Sequence, residues 1–241
     1  MKRLVLATLL LTFVLVGARP ASASPLTLNC PGGLQDQSAN AALTFGGSGI
    51  PKNAVCIGTF GEVTLVLTAT QRFVNPVVTN NGVNTYFAGA GDDTANGQPT
   101  YAIWNFDFAA FNSSTVNSYN IGLFWDTNAG AGTDLSQFGF LFTTLAPGTN
   151  VQNSWNLGMG FIDTGVAFPG YSPSAGLFNP YLSGIYGFGL TATSVTGAPV
   201  GSIGMEVNVA STPEPASLVL LGSGLLGVVM MARRRKLKAK A

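Results

Sequence analysis

Hydrophobic and polar residues alternate with period two through most of the chain between its two ends. Val63, Leu65, Leu67 and Ala69 fall on one face, against Glu62, Thr64, Thr68 and Thr70. Trp104, Phe106 and Phe108 alternate with Asn105 and Asp107, and Tyr119, Ile121, Leu123 and Trp125 form a third run. Phe138, Phe140 and Phe142 follow, then Trp155, Leu157, Met159 and Phe161, then Tyr186, Phe188 and Leu190, and last Ile203, Met205, Val207 and Val209. Such runs, separated by Gly, Asn, Pro and Thr clusters, predict half-buried antiparallel strands with one apolar face inward. The predicted fold is all-β, an antiparallel β-sandwich with a jelly-roll-like arrangement, a closed barrel being the alternative. Sustained helical periodicity and a repeat of constant length are both missing from this region, which disfavours bundles, solenoids and propellers.

The ends follow a different pattern. Met1-Lys2-Arg3 precedes an apolar run from Leu4 to Val16 and then the small residues Ala21-Ser22-Ala23. As a helix this run reaches about 20 Å, short for a membrane span, and the A-x-A site predicts a secretory signal peptide, 1–23, cleaved after Ala23. A second apolar run, Ala216 to Ala232, contains no charge. It would reach about 26 Å, enough to cross a hydrocarbon core of about 30 Å when flanking cations snorkel. Arg233, Arg234, Arg235 and Lys236 then stop transfer and hold the tail, 233–241, on the cytoplasmic side of the inner membrane. The expected organisation is signal peptide 1–23, exported domain 24–211 and a C-terminal segment 212–241 with a transmembrane helix over 216–232.

Between Ser24 and Thr212 stand two basic residues, Lys52 and Arg72, against nine acidic ones, a net charge of −7. Nucleic acid is therefore an unsuitable partner, since phosphate neutralisation needs clustered Lys and Arg. The chain has no histidine. That removes Ser-His-Asp and Cys-His nucleophiles and His-containing zinc sites.

Immediately before the apolar run, Thr212-Pro213-Glu214-Pro215 cannot form regular helix or central strand and reads as an extended, accessible peptide. Pro213-Glu214-Pro215, the span containing Gly224-Leu225-Leu226-Gly227, and Arg233-Arg234-Arg235 together resemble the PEP-CTERM sorting signal. The resemblance implies that an exosortase, a membrane-embedded cysteine protease-transpeptidase, recognises the Pro-Glu-Pro motif and removes the tail during delivery to the cell surface or surrounding matrix. It also implies a Gram-negative, exopolysaccharide-producing setting. The expected role of the body itself is structural or interactive in that matrix, without catalysis. A carbohydrate-binding module on the same scaffold, assisted by Ca²⁺, is the alternative.

Cys30 and Cys56 are the two cysteines of the chain. Outside the cytoplasm one disulfide is the economical use of them, with two free buried thiols as the competing reading. Asp126, Asn128 and Asp134, within Asp126-Thr127-Asn128-Ala129-Gly130-Ala131-Gly132-Thr133-Asp134, are candidate oxygen ligands for Ca²⁺, although Ala131 and Gln137 occupy positions where an EF-hand needs Gly and Glu. The same residues also suit a plain hairpin loop. Asp92-Asp93 reads as part of a loop, Glu62 and Glu206 as solvent-facing strand carboxylates, and Asn112-Ser113-Ser114 as a formal glycosylation sequon. Trp104, Trp125 and Trp155 lie on apolar faces and read as core, with a sugar-stacking platform as the competing use.

Overall fold

A computed structural model describes residues 28–211 except 42, 44–49, 74–76, 130–136, 164, 168 and 174–176. The expected signal peptide with Ala21 and Ala23, the motif Pro213-Glu214-Pro215, the span 216–232 and the cationic tail lie outside the described residues, as does Asp134.

In chain order the elements are β1 (Leu34–Gln35), β2 (Val55–Phe60), β3 (Val63–Gln71), β4 (Thr79–Asn80), β5 (Thr85–Gly89), β6 (Asp92–Asp93) and β7 (Gln98–Ala102). They continue as β8 (Trp104–Asn112), β9 (Tyr119–Trp125), β10 (Gly139–Leu145), β11 (Asn150–Trp155), the single helical turn α1 (Gly160–Asp163), β12 (Tyr171–Ser172), β13 (Gly184–Ser194) and β14 (Pro199–Ala210). One sheet has the order β1-β2-β3-β8-β11, the other β12-β10-β9-β13-β14-β5-β4, and β6 and β7 form a small ladder of their own. The fold is thus all-β, as the alternation predicts. Pairings are antiparallel except β5 with β14, which run parallel from Glu206↔Thr85 to Ala210↔Gly89. These two strands are far apart in sequence and joined by no hairpin, so no tight turn dictates their relative direction.

The two larger sheets pack face to face. Leu65, Leu67, Trp104, Phe106 and Ala110 from the five-stranded sheet and Leu123, Trp125, Tyr186, Phe188, Ile203 and Met205 from the seven-stranded sheet are buried in one cluster. Phe106 stacks on Phe188 with 4.5 Å between ring centroids, and Trp104 meets Phe188 edge-on at 6.1 Å. Aromatic pairs in these geometries add to the area they bury. Alternation puts the polar residues of β3 and β8 on the opposite face, where the sequence pattern predicts solvent. Thr68, Thr70 and Asp107 are instead fully buried there. Leu43, from the long β1–β2 connection, joins Val55, Ile57, Val66 and Ala109 in a second, smaller apolar cluster on that outer face.

The expected strand over Trp155, Leu157, Met159 and Phe161 is the clearest departure from the periodicity. β11 stops at Trp155, and the chain turns into α1. The buried Asn156 amide ends the ladder: its Oδ1 accepts from the Ala102 and Gly158 N–H groups at 2.9 and 3.1 Å, and its Nδ2 donates to the carbonyls of Ala102 and Trp104 at 2.9 and 2.8 Å. Gly158 completes the turn, because a Cβ there would run into the Thr100 carbonyl. Leu157 and, from α1, Ile162 reach the core through this turn, whereas Trp155 and Met159 are half-buried and Phe161 is exposed.

Candidate functional site

Cys30 and Cys56 form a disulfide, with Cα atoms 5.3 Å apart. It ties the start of the described chain to β2, beside a main-chain bond from Gly204 N–H to the Asn29 carbonyl at 2.8 Å and a side-chain bond from Asn84 Nδ2 to the Leu28 carbonyl at 3.0 Å. In the predicted cation loop, Asp126 is buried and Asn128 exposed, and the Asn128 N–H donates to Asp126 Oδ1 at 2.8 Å, an Asx turn. Trp104 and Trp125 are buried, whereas Trp155 is half-buried and packs edge-on against Phe108 and Phe161. The three indoles therefore do not share an exposed platform.

Asn112, the formal sequon residue, is buried, and its Nδ2 donates to the carbonyls of Asn117, Leu145 and Ala146 at 2.7, 3.3 and 3.0 Å. Glu62 sits in the β2–β3 turn and not within a strand. Its Oε2 accepts from Asn117 Nδ2 at 2.9 Å and from the Tyr119 hydroxyl at 2.7 Å, which holds its carboxyl below the usual carboxylate range. A turn of one sheet is thereby clamped to the first residue of β9 in the other.

Asp92 and Asp93 form β6 and lead into a 3-10 turn, where composition predicts a loop. Asp93 is the more informative of the two. Arg72 follows the last residue of β3, its N–H donating to the Ile103 carbonyl at 2.9 Å, and Phe73 then turns the chain at a left-handed φ of 62°. The guanidinium carbon consequently lies 4.4 Å from the Phe73 ring centroid and 4.6 Å from that of Tyr101. Arg72 Nε donates to Asp93 Oδ2 at 2.6 Å, and both side chains are about nine-tenths buried. Asp93 Oδ1 accepts from Asn96 Nδ2 at 2.6 Å. Ring stacking and ion pairing fix the cation in place and satisfy its charge.

This pair borders a cleft of about 450 Å³ walled by Gln71, Thr79, Phe87, Asp93 and Ile103. Phe87 and Ile103 are 43% and 40% exposed, so the cleft offers both apolar surface and fixed polar groups to a ligand. Behind it, Arg72 Nη1 donates to Asn105 Oδ1 at 3.4 Å, Asn156 Nδ2 donates to the same oxygen at 2.9 Å, and Asn105 Nδ2 donates to Ser154 Oγ at 3.1 Å. A polar network thus runs from the cleft across the outer face of the five-stranded sheet towards Asp107. Burial pushes the Asp107 carboxyl up to about 7, against the opposing pull of the Ser154 and Thr70 hydroxyls. Sequence reasoning passes over both features: Arg72 and Asp93 are 21 positions apart with no spacing rule to join them. The available signal is that Arg72 is one of two cations in an otherwise acidic body.

The fold and its surroundings define a class: a β-sandwich body whose last strand ends at Ala210, three positions before Pro213. Residues 211–236 match the PEP-CTERM protein-sorting motif, so the chain carries that sorting signal directly after its folded body. The motif supports an exported, membrane-passing protein sorted by an exosortase. No curated protein matches the chain. Among solved structures, a crustacean hemolymph-type prophenoloxidase aligns with a TM-score of 0.34 and 12% identity over 65% of this chain and 35% of that one. The chain therefore spans about a third of that protein's length.

Proposed function

We propose that this chain is a surface or matrix protein delivered by a disposable C-terminal label. The signal peptide 1–23 directs it to the secretion translocon, the 216–232 helix holds it in the inner membrane, and an exosortase acts at Pro213-Glu214-Pro215. The sandwich then serves a structural or interactive role in the exopolysaccharide matrix without catalysing a reaction. The observation that carries this reading is the sorting-motif match over 211–236, which begins one residue after β14 ends. Intact-mass measurement on protein from membrane, cell-surface and medium fractions tests it. The surface form is expected to begin at Ser24 and to lack Arg233–Ala241. A retained tail on the surface form would reduce the Pro-Glu-Pro segment to a stiff linker before an ordinary anchor.

A second reading, a carbohydrate-binding module, is favoured by the Arg72 cleft, where exposed Phe87 and Ile103 stand beside a fixed ion pair. Sugar rings present an apolar face and polar rim that such a surface suits. Polysaccharide pull-down with Phe87→Ala and Ile103→Ala tests it. Retention lost in both variants supports binding at the cleft, and unchanged or absent retention removes this reading.

A further inference from the structure

Among the described residues, the outer face of the five-stranded sheet contains buried acceptor oxygens that complete no hydrogen bond. β8 lies between β3 and β11, with Asp107 opposite Thr68 on one side and Ser154 on the other. Gln152, opposite Ala109, is on the same face one pleat further along β11. Asp107 Oδ1, Asp107 Oδ2 and Gln152 Oε1 are all buried without a hydrogen-bond partner. Buried polar atoms are almost always paired, and two orphaned carboxylate oxygens on the same sheet face as an orphaned amide oxygen, one diagonal register position apart, concentrate negative potential where water is excluded.

The surroundings are set to present oxygen as well. Asn105 Oδ1 accepts from both Arg72 and Asn156, which turns its Nδ2 to Ser154 Oγ. The Ser154 and Thr70 hydroxyls face the carboxylate. Neither completes a hydrogen bond to it. A hard cation held among these oxygens would satisfy them together.

We propose that Asp107, Gln152, Ser154 and Thr70 form a binding site for a hard divalent cation, Ca²⁺, on the outer face of the five-stranded sheet. The donor set is all oxygen, which selects hard cations over zinc or copper. Ca²⁺ accepts irregular protein cages, whereas Mg²⁺ keeps several waters and demands octahedral geometry that a fully buried carboxylate does not accommodate. With one carboxylate the expected affinity is that of extracellular modules, a Kd of about 10⁻⁴–10⁻³ M. The site is separate from the loop after β9, because Asp126 follows the seven-stranded sheet. It also stands independently of the sorting tail.

The test uses the purified full chain in detergent, stripped with a chelator and held at pH 8. Adding Ca²⁺ is expected to raise the thermal midpoint by several degrees with half-effect near 10⁻⁴–10⁻³ M, roughly as binding to the native state alone requires. Mg²⁺ at equal concentration should give a small fraction of that rise. Asp107→Asn should abolish the shift and Gln152→Met should weaken the half-effect several-fold, while Asp126→Asn keeps the shift intact. The proposal is overturned if Ca²⁺ leaves the wild-type midpoint unchanged, or if the full shift survives in Asp107→Asn. Calorimetry on the wild-type chain gives the same decision should a variant fail to fold: one Ca²⁺ per chain supports the site, and no binding overturns it.

Discussion

Phe106 of β8 and Phe188 of β13 stack at 4.5 Å with 26° between their ring planes, and both are fully buried. They join the two sheets at the middle of the sandwich, where Trp104 and Trp155 also meet them edge-on. Truncating either ring removes its transfer free energy and leaves a cavity that rigid strands on both sides cannot fill. Phe188→Ala or Phe106→Ala is expected to destabilise the body by about 3–5 kcal/mol, read as a drop in urea midpoint. Loss on this scale from a surface pair such as Phe142 and Phe124 would be out of proportion, since Phe142 is 46% exposed.

Asn156 replaces a strand partner with a side chain. It satisfies two backbone N–H groups and two backbone carbonyls while itself fully buried. Asn156→Ala strands those groups, each at about 1–3 kcal/mol when unmade. Asn156→Asp keeps the acceptor but loses the donor bonds to Ala102 and Trp104 and adds a buried charge. Both variants should be markedly destabilised, Asp at neutral pH at least as much as Ala. Amide hydrogen exchange of Ala102 and Gly158 gives the check, since their N–H groups lose protection first.

Which parts of this were legible in the sequence depends on how each segment meets the core. Tyr119–Trp125 is read residue for residue because Ile121, Leu123 and Trp125 point inward while Asn120 and Phe124 are less buried. β2 shows no alternation: Val55, Cys56 and Ile57 are all buried, since one face meets the main core and the other the Leu43 cluster. β5 is five residues long with the exposed Phe87 facing the cleft, too short and too mixed for periodicity to register. The run 155–161 has the right apolar spacing, but side-chain capping by Asn156 outweighs it. At the candidate sites, Asp107 carried a signal in plain view, an acidic residue between Phe106 and Phe108. Alternation assigns it to a solvent face only if nothing covers that face, and its neighbours there, Thr68, Thr70 and Ser154, come from strands distant in sequence.

Glu62 gives a pH signature at the edge of the sandwich. Its carboxyl is held below its ordinary range by Asn117 and then Tyr119, so the folded state favours the ionised form. The stabilisation is complete above the unfolded value and is lost as pH falls through the lowered folded value. Acidification below the ordinary Glu range should therefore release the 113–118 connection before the core, and in Glu62→Gln the protection of the Asn117 and Tyr119 amides relative to intrinsic exchange should no longer fall in that window. Parallel pH dependence in wild type and Glu62→Gln would show that another group controls the edge.

Asp107 works in the opposite sense. In chelated protein its folded value stands near 7, pushed up by burial, against an unfolded value of 3.8. Between those values the folded state holds a proton that the unfolded chain has shed, so stability falls as pH rises through the window and levels off above it. At about 1.4 kcal/mol per pH unit, the full window corresponds to roughly 4 kcal/mol, an upper bound because water can enter beside the edge strand β11. Asp107→Asn carries no such charge and keeps the shape of the group. With a chelator present it should flatten the stability profile from pH 4 to 8 and leave the variant more stable than wild type at pH 8, the reverse of the usual outcome for altering a buried polar residue. Denaturant midpoints measured at pH 5 and pH 8 on both proteins decide this, and a wild-type midpoint that rises between those two values contradicts a neutral, buried Asp107.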